Sequence, residues 1–216
     1  MNNDKIKIFA HRGFWDDFVK PNSKDALLKA LTEGFSTETD IRDFGGMEIG
    51  ISHDPICIDH EFILTLDEFL DIFKQYSNND SLVAFNIKAD GLESLLLNFK
   101  QLLEDDRFFF FDGSFPSMKR LKESNLKCLD RISEFESPSS YNFDGIWVDA
   151  FKEDWVIESD QSILRSYANV IFVSPELHNR PHQTFWRWLK NYNIDNNQIF
   201  GICTDYPDKA KVYFND

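Results

Sequence analysis

Cysteine is scarce in this chain: three residues, Cys57, Cys128 and Cys203, lie far apart in 216. An odd number without metal-type spacing excludes a disulfide framework and a cysteine-built zinc site, and fits reduced packing residues in a cytoplasmic protein. No stretch approaches the roughly 18 uninterrupted apolar residues of a membrane span. The first residues, Met1 to Lys5, run directly into a charged strand and lack the apolar core of a signal peptide. Positive charge is short as well, since 23 Lys and Arg against 37 Asp and Glu leave a formal charge of −14. A face for phosphate backbones should be basic, so nucleic acid is excluded as a partner, and charge-driven docking on anionic lipid is disfavoured. A site for one small anion can still be locally positive, with Arg12, Lys88 and Arg131 as its candidates. Linkers, repeats, low-complexity tracts and a glycine-rich phosphate fingerprint are also missing.

What is present is core material: 42% hydrophobic and 15% aromatic residues rule out disorder. Short apolar runs alternate with helical patterns. Strands are expected at Ile6–Ala10, Ser36–Arg42, Leu82–Lys88, Arg107–Asp112, Lys127–Ser133, Gly145–Asp149, Val170–Ser174 and Gln198–Thr204. Gly45-Gly46 makes a turn, and Met47 to Ser52 returns as a short extension that presents His53. Helices are expected from an Asn22 or Ser23 cap to Glu33, and over Thr65–Tyr76, Gly91–Leu103, Pro116–Ser124, Gln161–Ala168, Thr184–Tyr192 and from Pro207 onward. The stretch Glu134–Asn142 reads as a loop. The four phenylalanines at 108–111 read as a strand buried on both faces rather than a stacking platform for nucleic acid. The cluster Phe185-Trp186-Trp188 reads as a helix docking on the sheet, with a partner surface as the minor alternative.

Eight strands alternating with helices is the pattern of an α/β protein, a single (β/α)8 TIM barrel, which usually takes about 200–250 residues. The length also admits a tight pair of domains, and a doubly wound sheet is the competing α/β architecture. His11, Asp40, Lys88, Asp112, Arg131, Asp149, Glu176 and Asp205 all fall at or just past strand C-termini, the rim on which barrel enzymes build active sites.

The chemistry concentrates in Phe9 to Gly13, Glu38 to Asp40 and Ser52 to Asp54. Glu38 and Asp40 are two apart, so on a strand both carboxylates face one way and can bracket a Ca²⁺ or Mg²⁺. Solvated charges on a strand edge are the bland alternative for that pair. An imidazole side chain as such titrates near neutrality, so histidines at 11 and 53 are candidates to move protons in either direction, and Arg12 and Lys88 can neutralise phosphoryl oxygens.

His11-Arg12-Gly13, Pro21-Asn22-Ser23, Glu38-Thr39-Asp40, His53-Asp54-Pro55 and Thr204 to Asp208 together resemble the glycerophosphodiester phosphodiesterase family, in the superfamily that includes phosphatidylinositol-specific phospholipases C. The resemblance spans nearly the whole chain, 1–216, in the family's order. Asn86 to Gly91, Phe111 to Ser114, Arg131 to Glu136 and Ser174 to His178 resemble a little-characterised bacterial branch, for which no substrate can be carried over. The family usually has glutamate at the position of Asn86, and here only about ten residues follow Asp54 where the family often carries a substrate-covering insertion.

The resemblance implies a compact barrel without that insertion and a metal-dependent phosphodiesterase. Its substrate would be a small-molecule glycerophosphodiester, cleaved to a phosphomonoester and an alcohol. It implies that His11 and His53 are catalytic, His11 as base or nucleophile and His53 as acid; spacing alone assigns neither role. Arg12, Lys88 and Arg131 would bind phosphate. Glu38, Asp40 and Asn86 would hold the divalent cation, Ca²⁺ or Mg²⁺, with Asp112, Glu134 and Glu176 as further site residues. His178 and Trp147 read as pocket lining or packing. Two other functions stay open: a non-catalytic barrel that binds a phosphorylated sugar or lipid headgroup, and phospholipase-C-like cleavage through a cyclic phosphate.

Overall fold

The computed structural model describes residues 6–55, 63–192 and 199–215. Its strands run in the order β1-β9-β8-β7-β6-β5-β4-β2-β3, with β1 also paired to β2, so eight parallel strands close into the (β/α)8 barrel. The chain clusters into two compact units, Ala10–Cys128 and a second made of Leu129–Asp216 with Met1–Phe9.

In the Ala10–Cys128 unit, the end of β1 (Lys7–His11) leads to α1 (Lys24–Thr32), whose N-cap Ser23 accepts from the Ala26 N–H. β2 (Ser36–Phe44) and β3 (Glu48–Ile51) form an antiparallel hairpin across Gly45 and Gly46. The expected short extension is thus a ninth strand. Helix α2 (Leu66–Tyr76) starts at Thr65 with a capping box, in which Thr65 and Glu68 exchange side-chain-to-backbone hydrogen bonds. β4 (Val83–Ile87) pairs in parallel with β2 on one side and β5 (Phe108–Phe111) on the other. All four phenylalanines of β5 are buried, as the strand reading required. Phe85 stacks on Phe108 and Phe110, with centroids 5.9 and 5.3 Å away.

The expected helix over Gly91–Leu103 is a correction: it is two short helices, α3 (Glu93–Leu96) and α4 (Lys100–Glu104), separated where Phe99 turns extended. An unbroken helix would align Leu103 with Leu92 and Leu96. The break buries Leu102 instead and leaves Leu103 39% exposed. Helix α5 (Phe115–Glu123) and the start of β6 (Lys127–Ile132) complete the unit, and the buried Cys128 thiol donates to the Met118 and Leu126 carbonyls.

In the second unit β6, β7 (Gly145–Val148), β8 (Asn169–Val173) and β9 (Ile199–Thr204) pair in parallel. Between β6 and β7 the described chain contains no helix, in line with the loop reading. The helix expected at Gln161–Ala168 is instead a four-residue α6 (Trp155–Glu158) and a 3₁₀ helix at Gln161–Ser166, the latter capped by the Asp160 carboxylate. A second 3₁₀ helix, Pro175–His178, follows β8. Phe185 and Trp186 of α7 (Gln183–Lys190) are buried, and Phe185 and Trp188 contact Phe172 of β8, so this cluster does dock a helix on the sheet. α8 (Pro207–Asn215) follows β9, and Cys203 is buried. Cys57 lies outside the described residues, as do 193–198.

Candidate active site

The His11–Gly13 turn leaves β1 through two left-handed residues, Arg12 at φ +57° and Gly13 at φ +84°. Gly13 is pressed on the start of α1: a Cβ there would lie 2.6 Å from the Ala26 carbonyl carbon, so only glycine fits. An arginine in the left-handed region is strained, and such strain clusters where a scaffold aims a functional side chain. Here it directs the Arg12 backbone N–H to Glu38 Oε2 at 3.1 Å and sets the guanidinium Nε 3.0 Å from Asp40 Oδ2. The Nε contact has ion-pair distance without hydrogen-bond angle, so its attraction is chiefly coulombic. His11 Nε2 stands 3.9 Å from Glu38 Oε2, and the Trp15 indole N–H donates to the His11 carbonyl at 2.9 Å.

Glu38 and Asp40 do share one face of β2, and each is only 1% exposed, which removes the solvated-edge alternative. Burial, followed by the neighbouring Asp40 charge, pushes the Glu38 carboxyl up to about 7. His11, Arg12 and Lys88 pull the other way and only partly offset this. Lys88 follows β4, its backbone N–H continuing the ladder to Ile41 O at 2.9 Å. Its ammonium lies 3.4 Å from Asp40 Oδ1 and 3.9 Å from Asp112 Oδ2. Asp112 ends β5 in the left-handed region, at φ +68°.

The β2–β3 hairpin carries His53. Ser52 N–H donates to Asp40 O at 3.0 Å, and the Arg42 guanidinium donates to His53 O at 3.0 Å, so the backbone on both sides of the imidazole is fixed. His53 Nδ1 is 2.9 Å from Asp54 Oδ1, and its side chain is 46% exposed. The hydrogen bond and charge of His53 hold Asp54 below the usual carboxylate range, helped by the charges of Arg12 and Arg42.

Two buried oxygens at this site accept no hydrogen bond: Asp40 Oδ1 and Asn86 Oδ1. Asp40 and Asn86 are register partners on β2 and β4, so their side chains leave the same face side by side. Buried amide and carboxylate oxygens that accept no hydrogen bond, beside a second buried carboxyl, are a donor set suited to a hard divalent cation. Glu38, Asp40 and Asn86 could hold one. Among the described residues, no group of three or more His, Cys, Asp or Glu side chains converges as a metal site.

The remaining expected residues lie in the second unit. Arg131 Nε is 2.8 Å from Glu136 Oε2, and its guanidinium sits over the Phe151 ring. Glu134 accepts from the Phe151 and Lys152 backbone N–H groups at 3.0 and 2.5 Å. Burial would raise its carboxyl, but those bonds outweigh it and hold the group low. Glu176 accepts from the Ser174 and Thr204 hydroxyls and from Asp205 N–H, a brace between the ends of β8 and β9. His178 packs on Phe151, and its Nε2 is 2.6 Å from Asp149 Oδ1, a pairing that no local pattern disclosed. Trp147 is buried. In the first unit the residue missed was Asn22, read only as a helix cap. Ser23 takes the cap, and the Asn22 amide reaches Asp40 and Thr39.

No protein-family model and no curated protein matches the chain. Solved structures do. A candidate glycerophosphodiester phosphodiesterase from Galdieria sulphuraria aligns over 99% of this chain and 100% of its own, with 14% identity and a TM-score of 0.74. A glycerophosphodiester phosphodiesterase from Agrobacterium tumefaciens aligns over 96% and 99%, with 14% identity and a TM-score of 0.70. A phosphodiesterase from Oleispira antarctica, solved with its product sn-glycerol-3-phosphate, aligns over 98% of both chains, with 14% identity and a TM-score of 0.56. At these identities the likeness is one of fold.

Proposed function

We propose that this protein is a phosphoric diester hydrolase of the glycerophosphodiester phosphodiesterase type. It would hydrolyse a small glycerophosphodiester, or a similar alcohol–phosphate–alcohol compound, to a phosphomonoester and an alcohol. The observation that carries this reading is the gathering, within one unit, of His11, Arg12 and Lys88 on the buried Glu38–Asp40 pair, with the Asp54-paired His53 on the hairpin that follows β2. The fold shared with solved phosphodiesterases supports it.

The substrate phosphate would be bound by Lys88 and by the terminal nitrogens of Arg12, whose Nε is engaged with Asp40. A divalent cation held by Glu38, Asp40 and Asn86 would supply Lewis-acid polarisation of a phosphoryl oxygen. His11 would take the proton of the attacking water. His53 would act as the acid: with Nδ1–H held by the Asp54 carboxylate, Nε2–H is free to protonate the departing alkoxide, and Asp54 stabilises the imidazolium. Buried Cys128 and Cys203 suit a reduced, cytoplasmic setting, and among the described residues no helix is long and apolar enough to cross a membrane.

Purified protein with Mg²⁺ or Ca²⁺ should release sn-glycerol phosphate from glycerophosphodiesters, and His53→Ala should lower kcat roughly 10²- to 10⁴-fold. An unchanged rate in that variant would remove the proposed acid. One observation favours a second reading: among the described residues no group of three or more acidic, histidine or cysteine side chains converges as a metal site, and a non-catalytic phosphate-ester binder is consistent with that. That reading requires saturable binding with no product after long incubation under either metal. Phosphorus NMR of the products separates direct hydrolysis from a cyclic phosphate route.

A further inference from the structure

Asn22 precedes α1 yet caps nothing, because Ser23 supplies the cap. It occupies the left-handed region at φ +60°, and its backbone N–H donates to Arg12 O at 2.8 Å, which ties it to the His11–Gly13 turn. Its side-chain Nδ2 donates to Asp40 Oδ2 at 2.8 Å. Its Oδ1 accepts from the Thr39 hydroxyl at 2.8 Å and from Asp40 N–H at 3.4 Å. The orientation of the amide is unambiguous: an ionised carboxylate only accepts and a backbone N–H only donates, so a flipped amide would lose both contacts with Asp40.

The consequence falls on the two oxygens of Asp40. Oδ2 is engaged by Asn22 Nδ2 at 2.8 Å and by Arg12 Nε at 3.0 Å. Oδ1 is buried and accepts no hydrogen bond; the Lys88 ammonium stands 3.4 Å away, and Asn86, whose buried Oδ1 also accepts none, is the register partner on the paired strand. The two ends of one carboxylate are thus sorted, one to the scaffold and one to the site. Without Asn22 the group could rotate about χ2, and Oδ1 would no longer be held on the Asn86 side.

The geometry points to Asn22 as a positioning residue: it locks the Asp40 carboxylate so that Oδ1, together with Asn86 Oδ1, is offered to a divalent cation, and it ties that orientation to the turn that aims Arg12. This rests on the proposed cation site, and the test below tells a failure of that site from a failure of the role given to Asn22. Ligand-orienting partners of this kind commonly change metal affinity by 10- to 100-fold.

Calorimetric titration of the intact protein with MgCl₂ and CaCl₂, alongside thermal melts, reads this without any assay of turnover. Asn22→Gly keeps the left-handed backbone available while deleting the amide, and should weaken the cation Kd roughly 10- to 100-fold. Thr39→Val removes only the hydroxyl that steadies the amide, and should weaken the Kd in the same direction by roughly a few-fold. Ser23→Ala removes the true helix cap; it should lower the melting temperature and leave the Kd where it was. An unchanged Kd in folded Asn22→Gly overturns the proposal while leaving the cation site intact. Should that variant not fold, an unchanged Kd in Thr39→Val overturns it equally. A wild-type protein that takes up neither cation overturns the cation site itself, and the role of Asn22 with it.

Discussion

Gly13 shows how one residue can hold a site in place. Its left-handed φ is shared with Gly91 at +89°, but a Cβ on Gly91 would meet open space, whereas at Gly13 it would strike the backbone of Ala26. Gly91→Ala should therefore cost only about 1 kcal/mol for the unfavourable dihedral. Gly13→Ala should cost on the order of 3 kcal/mol or more, because α1 must shift as well. Urea unfolding of the two variants tests the difference, and equal midpoints would refute the packing account. Asn86 gives a second residue-scale prediction. Asn86→Glu should tighten cation binding in calorimetry by adding a formal charge where a neutral oxygen now stands unsatisfied. At this scale the sequence was legible wherever residue type dictates chemistry, as for His11, Glu38 and Asp40. It was silent on Asn22, since its partner Asp40 lies 18 residues away and its neighbour Ser23 is an equally good cap.

Elements were readable where one local signal dominates. At α2 the Thr65–Glu68 capping box and a one-sided apolar stripe agree, and the helix begins where they say. Because the two side chains serve each other's backbone, their removal should not add. Thr65→Ala and Glu68→Ala should each cost about 1 kcal/mol, and the double variant measurably less than the total. Simple additivity in chemical denaturation would mean that the box is not cooperative. Between Gly91 and Leu103 the local signal misled, because two leucine stripes out of phase with one another fit a single helix in composition but not in burial. The break is what buries Leu102 in place of Leu103, an outcome invisible in a one-dimensional pattern. The Pro175–His178 turn was missed for a related reason: its geometry follows from Glu176 bonding Thr204, 28 residues away.

For the molecule as a whole, the alternation of strands and helices and the polar residues at strand ends were enough to read the barrel, because closure leaves every strand buried and each must announce itself as apolar. The net charge of −14 was read as excluding partners, but it also bears on stability, and Glu38 makes that measurable. Its folded-state carboxyl titrates near 7 against an ordinary 4.5, chiefly through burial and then through Asp40, so between those values the folded protein binds more protons than the unfolded chain. Stability contributed by this group is therefore fully present below about 4.5 and lost as pH rises toward 7. At about 1.4 kcal/mol per pH unit the loss is on the order of 3 kcal/mol. General repulsion among surface acids also grows with pH, but roughly 0.3 M salt screens exposed charges while leaving a fully buried carboxyl almost untouched. In EDTA and high salt, then, the unfolding midpoint should fall from pH 5 to pH 8, and Glu38→Gln should abolish most of that fall and exceed the wild type at pH 8. Saturating divalent cation should do the same for the unaltered protein by binding only the ionised form, with about 2.7 kcal/mol regained at a hundredfold excess over Kd. A Glu38→Gln protein with the same pH slope as the wild type would show that the buried pair carries no excess charge, and that nothing in it calls for a cation.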